Sequence, residues 1–168
     1  KKDDLIVEIQ SNGLHSNGFS LVRHLIKKKK INLKKNKFLR TELIRPTKIY
    51  VKEILRLIDA NLINGCANIT GGGLVDNIKR IIPNKLSANI DLSKIKTLKI
   101  FQWLKKNGIK DNEMLKTFNN GVGFCLIVKP KNFNKVYKIF SKNYRPYVIG
   151  KIITGSNKVN INGKVNWS

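Results

Sequence analysis

Apolar positions along this 168-residue chain switch repeatedly between two spacings. Leu5, Ile6, Val7 and Ile9 run into a polar turn at Ser11, which predicts a short strand. Phe19, Leu21, Val22, Leu25 and Ile26 then recur at helical spacing and predict an amphipathic helix ending near Lys28. Pro46, read as a first-turn residue, precedes Ile49, Val51, Ile54, Leu55 and Ile58, a second helical pattern. Leu62 to Ile69 predicts a strand that runs into Thr70-Gly71-Gly72-Gly73, followed by a short helix that Pro83 stops. Further strands are predicted over Leu86 to Asp91, Phe124 to Val128 and Tyr147 to Ile153, with a strand-like tail over Val159 to Trp167. Leu98 to Lys106 predicts a helix ended by Asn107-Gly108, Glu113 to Phe118 a brief helical turn, and Phe133 to Phe140 a last helix. No internal repeat or long linker divides this succession, so the expectation is one α+β domain over residues 1–168, with helices packed on a mixed sheet.

Composition changes that picture little. A chain of this size buries roughly 70% of the surface its unfolded form exposes, enough for one core. No run approaches the ~20 apolar residues of a membrane span, so the expectation is a soluble protein without a membrane partner. Charge is the larger anomaly, with 34 Lys+Arg against 10 Asp+Glu for a net +24. Alone, that balance predicts a nucleic-acid-binding module. Yet Lys greatly outnumbers Arg, and Lys, Asn and Ile are over-used at positions where only solubility is at stake, a pattern of compositional drift. The basic cluster Lys27 to Lys37 has few aromatics and reads as a solvated helix end plus loop, so no specific nucleic-acid partner is expected. Cys66 and Cys125 lie far apart without zinc spacing. They read as buried reduced thiols, and a cytoplasmic location follows from them.

Candidate chemistry sits in three glycine-rich loops. "SNGLHSNGFSLVR" (Ser11 to Arg23) and Thr70-Gly71-Gly72-Gly73 each open onto a helix, and Asn119-Asn120-Gly121-Val122-Gly123 leads into a strand. Glycine there lets backbone N–H groups approach a ligand, and a helix dipole favours an anion at its N-terminus. Read singly, each is an ordinary turn; together they describe a polar pocket for a phosphate-bearing small molecule. His15 is the one loop group that titrates near neutrality and is able to move a proton. Ser16 and Asn17 also suit a helix N-cap, Asn119 a turn, and Trp103 the core. No Walker-type phosphate loop, nucleophile elbow or paired His-x-x-x-His occurs, so residue chemistry alone reaches an anion pocket and stops short of a reaction.

At the same loops the chain resembles a known family. "GLHSNGFSLVR" (Gly13 to Arg23), "RPTKIYVKEIL" (Arg45 to Leu55), "ITGGGLVDNIKRIIP" (Ile69 to Pro83), "IFQWLKKNG" (Ile100 to Gly108), "DNEMLKTFNNGVGF" (Asp111 to Phe124) and "VIGKI" (Val148 to Ile152) stand in the order and near spacing of aminoimidazole ribonucleotide synthetases. The likeness covers nearly the whole chain and corresponds to the C-terminal half of those enzymes. It implies an ATP- and Mg2+-dependent cyclo-ligase of purine biosynthesis. ATP activates the formamide oxygen of formylglycinamidine ribonucleotide, a nitrogen attacks, and phosphate leaves as the imidazole closes. It further implies a homodimer whose active site lies between this half and an N-terminal, ATP-binding half. The N-terminal segments that serve nucleotide and metal are absent here, so this chain is expected to be inactive alone and to hold no metal.

Carried over by position, the resemblance implies that His15, Ser16, Asn17 and Gly18 hold the ribonucleotide, with His15 the catalytic candidate. Thr70, Gly71, Gly72, Gly73, Asn119, Gly121 and Gly123 would line the same cleft. Asn68 stands where the family usually has His, and Asn120 where it often has Cys; both read as tuning. The alternatives are a sibling of the thiamine-monophosphate kinase, hydrogenase-maturation or selenophosphate synthetase type, and the basic nucleic-acid module.

Overall fold

A computed structural model describes all residues, 1–168. Six strands form one sheet: β1 (Leu5–Gln10), β2 (Gly65–Asn68), β3 (Leu86–Asp91), β4 (Val122–Val128), β5 (Tyr147–Thr154) and β6 (Val159–Asn162), in the order β2-β4-β1-β5-β3-β6. The sheet is mixed, with β3 and β6 parallel and the other neighbours antiparallel. Seven helices accompany it: α1 (Phe19–Lys28), α2 (Lys37–Leu43), α3 (Val51–Asp59), α4 (Gly73–Lys79), α5 (Lys99–Lys106), α6 (Asp111–Thr117) and α7 (Phe133–Ile139). The expected α+β class with helices on a mixed sheet is the observed one.

β1 and β4 are apolar along both faces because both faces are covered. Ile6, Cys125, Ile127, Ala88, Ile90 and Ile152 pack with Leu74 and Ile78 of α4. Val7, Ile9, Leu126 and Val128 pack on the other side under Ile54 and Leu57 of α3 and Val136 and Phe140 of α7. A third cluster joins Val22 and Leu25 of α1, Leu39 of α2, Phe101 and Leu104 of α5 and Met114 of α6 around Leu14 and Phe118. This helical cap forms a cluster of its own, joined to the sheet cluster by Trp167, which packs against both, and the candidate loops lie between it and the strands.

Three expectations need correction. α3 begins at Val51, and Arg45 to Tyr50 lie outside any helix or strand. The cause is tertiary: Asn12 Nδ2 donates to Pro46 O at 3.0 Å and Thr47 Oγ1 meets Ser16 Oγ at 3.1 Å, which ties the segment to the first loop. The lysine-rich stretch is not a plain loop, since it carries a short turn over Leu33–Lys35 and then α2. Asn36 starts α2 by accepting from Leu39 N at 2.9 Å, and fully buried Leu39 anchors it. In the tail only Val159–Asn162 is strand; beyond it Val165 is buried and Trp167 Nε1 donates to Asp111 Oδ1 at 3.1 Å. The two thiols are free, and Cys125 is buried while Cys66 is only half-buried. They pack in clusters on opposite faces of the sheet, which prevents a bridge. Trp103 is half-buried against the helical cluster.

Candidate functional site

β1 and β2 both run antiparallel to β4, so the C-terminal ends of the first two and the start of the third share one end of the sheet. The loops Ser11–Gly18, Thr70–Gly73 and Asn119–Gly123 are those three strand ends, and they touch one another. Ser11 N donates to Gly121 O at 2.7 Å. Asn119 clamps the first loop to the third: its Nδ2 donates to Gly13 O at 3.0 Å and Leu14 O at 3.4 Å, while its Oδ1 accepts from Ser11 Oγ at 3.0 Å and Gly121 N at 2.9 Å. Every donor and acceptor of that amide is thereby used inside the protein.

Glycine is required where the loops cross. Gly18 has φ +77°, and a Cβ there would stand 2.1 Å from the Phe118 ring. Gly73 has φ +65°, and its Cβ would stand 1.9 Å from Leu115 O, so α4 presses directly on the end of α6. Asn77, one turn into α4, secures the second loop by donating from Nδ2 to Gly73 O at 2.7 Å and Gly71 O at 3.3 Å, while Thr70 Oγ1 donates to its Oδ1 at 3.2 Å.

The candidates separate into two layers. Ser16 and Gly71 are exposed, and Asn17, Gly18, Thr70 and Gly72 are half-buried, forming an outer rim. His15, Gly73, Asn119, Gly121 and Gly123 are buried behind it. Ser16 and Asn17 do not cap α1: its N-cap is Gly18, with no side-chain cap bond and no acid in the first turn. The first N–H groups of this ten-residue helix are therefore left without a side-chain acceptor, which favours an anion. Of the two departures, Asn68 is exposed at the end of β2. Asn120 is buried and donates at 3.0 Å to both Met114 O and Phe118 O.

His15 has φ +56° and is 6% exposed. Burial pushes its pKa down to about 4, so the ring is neutral at pH 7. Its Nε2 lies 2.9 Å from Asn12 Oδ1 and 3.4 Å from Asn12 N. Because Asn12 commits its NH2 to Pro46 O, it presents oxygen to the ring, and the shorter contact decides: Nε2 carries the proton and donates. Nδ1 is left as the acceptor. The Tyr50 ring stands 6.2 Å from the imidazole, its hydroxyl donates to Gln10 O at 3.1 Å, and it lies directly over Gly123.

Beside the first loop a cavity of about 400 Å3 is lined by Ser11, Asn12, Arg45, Lys99 and Tyr144 among others. Its two cations suit an anionic molecule, although Glu42 already pairs with Arg45. A larger recess of about 550 Å3, with Ser93, Lys96, Gln102 and Tyr147 in its wall, contains none of the candidate residues. No group of three or more His, Cys, Asp or Glu side chains is arranged to hold a metal ion. Asn12, Thr47 and Asn77 are site-building residues that sequence reasoning passed over. The readable signals were an Asn on the buried side of a short helix and the segment after Arg45, which lies within one of the resembling blocks.

The family described as AIR synthase related protein, C-terminal domain, matches residues 1–162. The chain belongs to this family. It is 42% identical over 158 residues to a phosphoribosylformylglycinamidine cyclo-ligase of Streptococcus pyogenes, covering 91% of this chain and 46% of that protein. It is 41% identical to the bifunctional purine biosynthetic protein PUR2,5 of Pichia angusta, covering 89% of this chain and 20% of that protein. The chain thus spans about half, or less, of the length of the curated relatives it matches. Solved structures share the fold of this family member: a thiamine-monophosphate kinase from Stenotrophomonas maltophilia has a TM-score of 0.66 at 18% identity, over 99% of this chain and 52% of that one. Escherichia coli HypE, a hydrogenase maturation protein, has a TM-score of 0.63 at 13% identity, over 97% and 47%.

Proposed function

We propose that this chain is the C-terminal half of an ATP-dependent cyclo-ligase that closes the imidazole ring of aminoimidazole ribonucleotide from formylglycinamidine ribonucleotide, in cytoplasmic purine biosynthesis. The observation that carries the reading is the convergence of three glycine-rich loops around an uncapped helix N-terminus and a buried neutral histidine, in a chain 42% identical to a cyclo-ligase. In this reading the ribonucleotide's phosphate lies at the rim, against the first N–H groups of α1 with Ser16 and Asn17 beside it. Thr70 to Gly72 form the opposing wall, and Asn119, Gly73, Gly121 and Gly123 hold the walls in place.

The reaction transfers the ATP γ-phosphoryl group to the formyl oxygen, forms the C–N ring bond and expels that oxygen as orthophosphate; two protons leave as the ring closes, one carried off by the phosphate and one, from the attacking nitrogen, taken by a base. His15 suits that proton because it is neutral, its Nε2–H is committed to Asn12, and Nδ1 keeps a basic lone pair. ATP and Mg2+ belong to the N-terminal half in this account, and the assembled enzyme is a homodimer; neither half alone turns over. The test joins or mixes the chain with the N-terminal half of its parent and measures ring closure. ATP-dependent formation of aminoimidazole ribonucleotide with one orthophosphate per turnover is expected, and a folded, associated pair without that product refutes the reading.

A further inference from the structure

α3 carries two apolar stripes side by side. Tyr50, Ile54 and Leu57 face the sheet and are buried. Val51, Leu55 and Ile58 recur at the same helical spacing one position further round and are 59%, 52% and 48% exposed. Ile49 and Ile44, in the segment leading into the helix, are 78% and 81% exposed. A surface helix needs one apolar stripe; a helix with two is built to lie between two bodies. Only two other large apolar residues reach comparable exposure, Phe38 and Ile161, so five of the seven belong to this one segment of chain. Clustering of that kind marks an interaction surface, where scattered single residues do not.

The stripe also forms one wall of a groove. Ile49, Val51, Ile54 and Leu55 line it together with Phe124 and Asn68, enclosing about 330 Å3. Asn68 ends β2, the outermost strand on that side of the sheet, whose backbone pairs only with β4. An open strand edge beside an apolar helix face offers a partner both hydrogen bonds and burial. The groove adjoins the candidate site by direct connections. Asn68 leads into Ile69 and the Thr70–Gly73 loop, and Tyr50 packs over Gly123. Pro46 and Thr47 are hydrogen-bonded to Asn12 and Ser16.

We infer that the exposed face of α3, with Ile44, Ile49, Phe124 and the free edge of β2, is the seat of the N-terminal half of the same enzyme. This rests on the functional reading above, and the occupant follows from two observations. More than half of the cyclo-ligase relative, which this chain matches over 46% of its length, lies outside the matched region and has to pack somewhere. Two residues of the groove wall adjoin the candidate loops, Asn68 just before Thr70–Gly73 and Tyr50 over Gly123 with its ring 6.2 Å from that of His15, so a body seated there stands beside the candidate site. The stripe then also positions the catalytic loops, because the segment it continues is bonded to them.

The experiment mixes the chain with the separately produced N-terminal half, measures association by titration calorimetry, and maps protection by hydrogen exchange. The variants V51D and L55E keep α3 intact, since an acid suits the first helical turn and Glu is a good helix former. Each is expected to weaken association at least tenfold, with protection in the wild-type pair over residues 49–58 and 65–68. The control variant I161E, exposed on β6, is expected to leave association unchanged. Undiminished binding by both variants, protection confined to another face, or no association at all overturns the inference. So does a homodimer of this chain alone that V51D and L55E dissolve, because the face would then seat a second copy. Ring-closure activity separates the two claims. Activity with protection elsewhere sinks the docking face alone, whereas protection at α3 without product sinks the functional reading alone.

Discussion

At the scale of single residues, burial displaces the titration of His15 and Glu8 in opposite directions. Glu8 lies on β1 with no exposed surface and with no hydrogen-bond partner for either carboxylate oxygen. Burial raises its pKa from 4.5 to about 8, with Tyr147 and Lys96 opposing the rise. The folded chain therefore keeps a proton that the unfolded chain releases above pH 4.5. This contribution to stability is complete below pH 4.5 and is lost as pH rises to about 8, by about 1.4 kcal/mol per unit. Urea midpoints at pH 5 and pH 8 measure it: a net loss of stability at pH 8 is expected for the chain and a gain for Glu8→Gln, in which only the opposing His15 contribution remains, while the same change in chain and variant contradicts the assignment. His15 is the mirror case. Its ring protonates only near pH 4, so its carbon-bound proton resonances should stay constant from pH 8 to 5.5, and a midpoint near 6.5 would place it in solvent instead. Sequence pointed to His15, but neither its burial nor the Asn12 partner that fixes its tautomer is readable there. Glu8 was invisible for a related reason: one acid in an apolar strand pattern looks like a solvent-facing position until both faces of the strand are covered.

Elements show a different division between local and tertiary control. α1 and β3 have the bounds that their periodicity predicts, Phe19–Lys28 and Leu86–Asp91, because each faces a core with a regular apolar pattern. α3 starts later than predicted because bonds from Asn12 and Ser16 tie Pro46 and Thr47 to the first loop, and α2 went unread because Leu39 alone supplies its buried anchor. Those are contacts between segments, and no local spacing encodes them. The second loop gives a clean test of the same idea. Gly73→Ala must place a Cβ against Leu115 O at positive φ and is expected to destabilise the chain by about 2–5 kcal/mol. Gly108 also has positive φ, at +102°, but nothing lies within 4 Å of its Cβ position, so Gly108→Ala should cost only about 1–2 kcal/mol. Thermal unfolding of the two variants side by side decides it, and equal losses would mean that the contact between α4 and the end of α6 is slack.

For the molecule as a whole, strand order does what sequence order conceals. The three glycine loops are spread over more than a hundred residues, and they meet because β1 and β2 flank β4 with the same polarity. The charge of +24 carries less meaning than its size suggests. Nucleic-acid binding by the chain is expected to be weak and to vanish near 0.15 M salt, whereas submicromolar affinity persisting there would restore the charge as a functional feature. The central claim concerns the site: the rim made by α1 and its two neighbouring loops receives the ribonucleotide. Amide chemical-shift mapping of the chain paired with its N-terminal half, on addition of formylglycinamidine ribonucleotide, tests it most directly. The account predicts the largest shifts at the first residues of α1, Phe19 to Leu21, and at Thr70 to Gly72. Shifts centred instead on the recess of Ser93, Lys96, Gln102 and Tyr147, with α1 unmoved, would contradict it.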